Sequence, residues 1–278
     1  MPLNRKKHWP TALTAVAVGL ASLTLTATTS TAADPSSAQH HPSGARPTIV
    51  LVHGAWADGS SWASVTRRLQ EKGYTVDVVP NPLRGVKSDS DYLRDYLASV
   101  KGPIVLAAHS YGGMVITQAA TGNANVKALV YVDAYIPETG DALGPLSGKD
   151  SALAVDPTTV FDAVTGTDGT VDLYVKQALF PGIFVKGVPK HKAAVLAASQ
   201  RPLAKTALSE PSTGTPAWKT IPSWDVVGTA DRVIPRAQQE FMADRAHARI
   251  TKVDAPHLSM VSDPRVVTKV IVSAANHR

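Results

Sequence analysis

Four short apolar runs, unalternating and rich in β-branched residues, recur in the first half of this chain between stretches of helical period. They are Thr48–His53, Tyr74–Val79, Pro103–Ala108 and Val126–Val132. Runs of that length without polar alternation fit strands buried on both faces, as in a parallel sheet. Between them, Ser61–Lys72 places Trp62, Val65 and Leu69 on one helical face and stops at Gly73. A second helix, capped by Ser88-Asp89, carries Leu93, Leu97 and Val100, and a third runs from Ser110 towards Thr121. Strands alternating with helices predict an α/β architecture, a doubly wound and mainly parallel sheet with right-handed crossovers.

The rhythm breaks over about residues 137–216, which are rich in Gly, Pro, Ser, Thr and Asp, His191–Ser199 being the clearest helical piece. It resumes with strand Ser223–Gly228, a helix over Pro235–Ala246, strand Arg249–Val253 and a helix over Met260–Ala274. The interruption predicts an inserted helical cap over the C-terminal edge of the sheet, where such sheets bind ligands. No repeat is visible, and neither GxxxxGK[ST] nor GxGxxG follows a strand.

Composition narrows the chemistry. The chain has no Cys, which removes disulfides, thiolate metal sites and Cys nucleophiles. No H-x-E or HExxH pair suggests a metal. Of the net charge of +6, Arg5, Lys6 and Lys7 supply half, and residues 1–33 contain no acid. The remaining 25 basic and 22 acidic residues form no block of like charge, so neither a nucleic-acid partner nor a membrane surface is expected for the processed chain. Oligomeric state is not legible.

Those three cations precede an uncharged Ala-, Leu-, Val- and Thr-rich run, Thr11–Thr31, closed by small residues at Thr31-Ala32-Ala33. This is the order of a secretory signal peptide. The expected organisation is a signal peptide at 1–33, a disordered linker at 34–47, and a domain at 48–278, exported to the extracellular side.

Three predicted strand ends carry reactive groups. Ala108-His109-Ser110-Tyr111-Gly112-Gly113 has the form of the G-x-S-x-G nucleophile elbow, with Ala for the first Gly. A hydroxyl is a poor nucleophile until a base takes its proton, and a His base needs a carboxylate to orient it. Asp231 follows the strand ending at Gly228, and His257 follows the strand ending at Val253. The order Ser, acid, His is that of this hydrolase architecture. The expected roles are Ser110 as nucleophile, His257 as general base and then acid, and Asp231 as orienting carboxylate. Asp133 also ends a strand and is the rival acid. Asp254 is expected to shape the His loop, and His109 to pack at a strand end. The oxyanion needs two N–H donors, expected from Tyr111 and from Ala55 in the loop His53-Gly54-Ala55-Trp56, with Gly54 letting that loop turn over Ser110. Gly54, Trp56 and Tyr135 are substrate-site candidates, and Tyr111, Phe161, Phe180 and Phe184 are further candidates for an apolar wall.

Leu51-Val52-His53-Gly54-Ala55-Trp56 with Trp62, the Ser110 elbow, Val227-Gly228-Thr229-Ala230-Asp231 and Pro256-His257-Leu258-Ser259-Met260 together resemble the α/β-hydrolase superfamily. More narrowly, they are similar to its branch of small methylesterases and hydroxynitrile lyases, which also occurs as secreted bacterial esterases. The likeness covers roughly residues 48–275, weakly in the cap. It implies a secreted serine carboxylesterase acting on small esters without a cofactor. Lyases of that branch place a Lys after the catalytic His and a Thr after the first-strand His; here those positions hold Leu258 and Gly54. A cofactor-free perhydrolase or haloperoxidase, a lactone or amide hydrolase, and a non-catalytic ligand-binding relative are the alternative expectations.

Overall fold

The computed structural model describes residues 46–277. The expected signal peptide and all but the last two residues of the expected linker lie outside the described residues. Arg46, at the linker's end, is tied down: a guanidinium N–H donates to the Lys72 carbonyl at 2.6 Å, and the group sits over the Tyr74 ring.

Strands β1 (Thr48–Val52), β2 (Val76–Val79), β3 (Ile104–His109) and β4 (Val126–Val132) alternate with helices α1 (Ala63–Gln70), α2 (Val86–Ser99) and α3 (Gly112–Ala119). The insertion then supplies α4 (Leu143–Ser147), α5 (Pro157–Val160), β5 (Phe161–Thr165), β6 (Val171–Val175), α6 (Phe180–Phe184), α7 (Lys190–Ala198) and β7 (Leu203–Ala204). The core resumes with β8 (Ser223–Gly228), α8 (Arg236–Arg245), β9 (Arg249–Val253), α9 (Ser259–Ser262) and α10 (Pro264–Ala275). β1–β4, β8 and β9 form one six-stranded sheet in the order β2-β1-β3-β4-β8-β9, and every pairing in it is parallel. This is the doubly wound parallel sheet that the strand–helix rhythm predicted, and it agrees with the fold that the resemblance implied. β3 and β8 are buried at every residue, which is why their sequences show no alternation.

Three local departures have physical causes. Helix α2 begins at Val86, earlier than a Ser88-Asp89 cap would start it, because Asp89 reaches back from the first turn to accept the N–H groups of Arg84 and Gly85. The expected single helix over 260–274 is two helices. Pro264 has no N–H to continue the ladder, and Asp263 caps the second helix by accepting from Val266. Most informatively, the insertion is not purely helical: β5, β6 and β7 form a three-stranded antiparallel sheet. Its hairpin turns through Asp168-Gly169, where Gly169 has φ +82° and Asp168 accepts the Thr170 N–H. Asp-Gly between strand-like runs is a hairpin signal, masked here by the polar composition around it.

One strand position is chemically odd. Asp225, in the middle of β8 between Tyr131 and Ile250, is completely buried, and neither carboxyl oxygen has a hydrogen-bond partner among the described residues. Burial, and secondarily the nearby Asp133 carboxyl, push its pKa well above the ordinary carboxylate range.

Among the described residues, no helix is long and apolar enough to cross a membrane, and no cluster of three or more His, Asp or Glu is placed to hold a metal.

Candidate active site

Ser110 directly follows β3 with φ +51°, a left-handed conformation rare for a residue with a side chain. The surroundings hold it there. Its N–H donates to the Val132 carbonyl, and its own carbonyl accepts from Gly113 and Tyr135. The first-strand loop passes directly over it. A Cβ on Gly54 would stand 2.6 Å from Ser110 Cβ and 2.8 Å from the His109 carbonyl, so only glycine fits. The N–H groups of Ala55 and Tyr111, the two expected oxyanion donors, have no protein acceptor among the described residues.

His257 lies in the loop after β9 and Asp231 in the loop after β8. The two loops are joined by backbone bonds, Thr229 N–H to Val253 carbonyl at 2.8 Å and Ala230 N–H to Ala255 carbonyl at 3.2 Å. That brings three separated residues into one buried hydrogen-bonded line. Ser110 Oγ is 2.9 Å from His257 Nε2, and His257 Nδ1 is 2.8 Å from Asp231 Oδ2. The other Asp231 oxygen accepts the N–H groups of Val233 and Ile234, and Oδ2 also accepts the Gln239 amide. Burial pushes the Asp231 carboxyl upward, while those N–H donors pull it down. Burial holds His257 down to about 3, so its imidazole stands neutral. Its Nδ1–H then faces the carboxylate, and Nε2 keeps a lone pair for the Ser110 hydroxyl.

Asp133 takes a different place. Its two oxygens accept the N–H groups of Gly228 and Ser259, each at 2.9 Å. It thus ties the segments flanking Asp231 and His257 together, from a strained φ of +45°. Asp254 is exposed. His109 is buried, its Nε2–H donating to the His257 carbonyl and its ring 4.6 Å from the His257 ring. Sequence reasoning missed Gln239 and Asn81. Gln239, on α8, holds Asp231. Asn81 donates its side-chain amide to the His53 carbonyl and its backbone N–H to His53 Nε2. That leaves His53 Nδ1–H to hold the Gly54 carbonyl at 2.9 Å, bracing the loop over Ser110. Neither residue lies in a motif, so no sequence signal pointed to them.

The aromatic candidates divide. Trp56, at φ +55°, stacks on Phe161 and meets Phe184 edge-on, and Phe184 in turn meets the His257 ring. Its backbone N–H donates to the Arg201 carbonyl at 3.1 Å and its indole N–H to the Leu173 carbonyl at 2.8 Å. The loop bearing Ala55 is therefore fastened to the cap at two points. Trp56 and Phe161 line a cavity of about 150 Å³ with Leu143, Ser147, Leu153 and Leu208. Phe180 stacks behind Phe184. Tyr135 and Tyr111 are not walls of this cavity. The Tyr135 hydroxyl is bonded to Ser147 Oγ behind the wall, and the Tyr111 hydroxyl donates to buried Asp89. Elsewhere, a cavity of about 400 Å³ lined by Arg68, Lys72, Arg265 and Lys269 shares no residue with this site.

The sequence profile of the Alpha/beta hydrolase family matches residues 49–270. A carbendazim hydrolyzing esterase from Nocardioides sp. is 34% identical over 114 residues, 36% of this chain and 47% of that protein. A probable hydrolase, R7, from Phoma sp. is 30% identical over 132 residues, 41% of this chain and 53% of that protein. The chain thus spans about half the length of these curated relatives. Among solved structures, an extracellular alpha/beta-hydrolase from a Paenibacillus species has a TM-score of 0.70 at 20% identity, covering 83% of this chain and 100% of that one. A pyrethroid hydrolase from Sphingobium faniae has a TM-score of 0.67 at 20% identity, over 83% and 97%. At such identities the structures speak to the fold, and fold and profile agree: the chain belongs to the alpha/beta hydrolase family.

Proposed function

We propose that the protein is a secreted serine carboxylesterase that hydrolyses small carboxylic esters through an acyl-enzyme on Ser110. The observation that carries this reading is the buried line Ser110–His257–Asp231, together with two N–H groups that have no protein acceptor among the described residues. In the first half-reaction, His257 Nε2 takes the Ser110 proton as Oγ attacks the ester carbonyl. The N–H groups of Ala55 and Tyr111 receive the developing oxyanion, and Asp231 steadies the imidazolium. Collapse breaks the ester C–O bond, and His257 gives its proton to the departing alcohol. Water repeats the sequence on the acyl-enzyme, releasing the carboxylic acid and restoring Ser110. The cavity beside Trp56 has the volume of one known to hold benzene, which suits a compact apolar group on the ester. A sequence relative named as a carbendazim hydrolyzing esterase supports hydrolytic chemistry. Leu258, directly after His257, is buried and apolar, so cyanide release would lack a cation there.

The test uses the full chain expressed in a secreting bacterial host. Protein from the medium should begin at Ala33 or Asp34, hydrolyse short p-nitrophenyl esters, and take up a fluorophosphonate on Ser110. Soluble extracellular protein that keeps Met1 would refute signal cleavage, and protein that stays inside the cells would refute export. Failure to hydrolyse any ester, with no label on Ser110, would refute the esterase.

A further inference from the structure

A second apolar cavity, about 410 Å³, lies on the cap sheet next to the one beside Trp56. Its floor follows from strand geometry. Phe161 and Ala163 on β5, and Val171 and Leu173 on β6, alternate in sequence and pair across the hairpin as Ala163 with Leu173 and Thr165 with Val171. They therefore share one face. Two side chains, Phe161 and Leu208, line both this cavity and the inner one. Phe161 is buried and stacked on Trp56 at 5.3 Å between ring centres, which fixes it as a wall.

We infer that Phe161 is the specificity-determining partition of the site. It confines the apolar part of the ester to the inner cavity of about 150 Å³, and without it that cavity runs into the outer groove, which would take an extended alkyl chain. The inference rests on the esterase reading for its biological meaning, but the partition itself is a matter of shape. Removing a wall admits methylenes that had no room, and each one placed against apolar surface adds to binding.

The experiment compares p-nitrophenyl butanoate with p-nitrophenyl dodecanoate. In Phe161→Ala, the ratio of kcat/KM for the long ester to that for the short should rise by about tenfold or more over wild type. Closing the groove with a bulky side chain at the exposed Ala163, in the double variant Phe161→Ala/Ala163→Trp, should bring the ratio back. Val164→Ser, at an exposed residue on the opposite face of β5, should leave it unchanged. If Phe161→Ala folds poorly, Phe161→Leu and Leu208→Ala open the same wall more gently and should move the ratio in the same direction. A ratio within twofold of wild type in folded variants overturns the inference, as does a rise that Ala163→Trp fails to reverse. Calorimetric binding of dodecanoate reads the partition without turnover, and Phe161→Ala should bind it more tightly than wild type. An enzyme inert to every ester would sink the esterase reading alone, whereas unchanged dodecanoate affinity would sink the partition alone.

Discussion

Ser110→Ala should reduce ester turnover by roughly a factor of 10⁶ in kcat, the loss seen in a well-studied serine protease when its nucleophile is removed. The fold should survive. The hydroxyl's recorded hydrogen bond is to His257 Nε2, and the elbow is held through the backbone of Ser110, which the substitution leaves in place. The left-handed φ is no worse for alanine than for serine. Adding His257→Ala to Ser110→Ala should cost little more, because the line works as a unit. Once the nucleophile is gone, a base has no proton to take. The check is steady-state kinetics on p-nitrophenyl butanoate, with circular dichroism to confirm folding. Substantial activity in a folded Ser110→Ala protein would show that another group attacks the ester.

The second large effect separates two buried carboxylates. Asp231→Asn should lower kcat by about 10⁴, as the equivalent change does in a serine protease by favouring the wrong imidazole tautomer. The asparagine amide can donate to Nδ1, which places the ring proton on Nε2 and leaves that nitrogen no lone pair for the Ser110 hydroxyl. Asp133→Asn should instead show mainly as lost stability. It sacrifices one of the two N–H bonds that Asp133 accepts, from Gly228 or Ser259, at a cost of about 1–3 kcal/mol. Thermal melts and kcat of the two variants should therefore rank in opposite orders. If Asp133→Asn proves the more damaging to kcat, the orienting role moves to Asp133.

The parts of this molecule that could be read in advance were those where one local rule acts alone. Unbroken apolar runs such as Ile104–Ala108 belong to strands covered on both faces, and β9 spans Arg249–Val253 as expected. Ser110, Asp231 and His257 stood in motifs that end strands, and a parallel sheet delivers all its strand ends to one edge. Gln239 and Asn81 were not legible because their work depends on where a helix and a loop come to rest. Tyr135 was expected at the substrate site, but three positions past the end of β4 a side chain's direction depends on how the loop turns, and its hydroxyl meets Ser147. The cap sheet was hidden because short strands exposed over most of their length, such as β5, read as loop when polar turns flank them.

The unpartnered acid inside β8 gives folding a proton balance. Asp225 holds its proton to higher pH in the folded chain than in the unfolded one, because burial raises its pKa well above the ordinary value of 3.8. Between those two values the folded state binds the extra proton, so stability falls as pH rises through that window. The slope contributed by one such group is at most about 1.4 kcal/mol per pH unit. Asp225→Asn keeps the neutral shape and removes the titration. Its melting temperature should therefore decline less than that of wild type as pH rises from about 5 to about 8, and parallel slopes would mean that Asp225 is already ionised in the fold. Mild acidity thus favours the fold through a carboxyl buried in the sheet, which takes up a proton each time the chain folds.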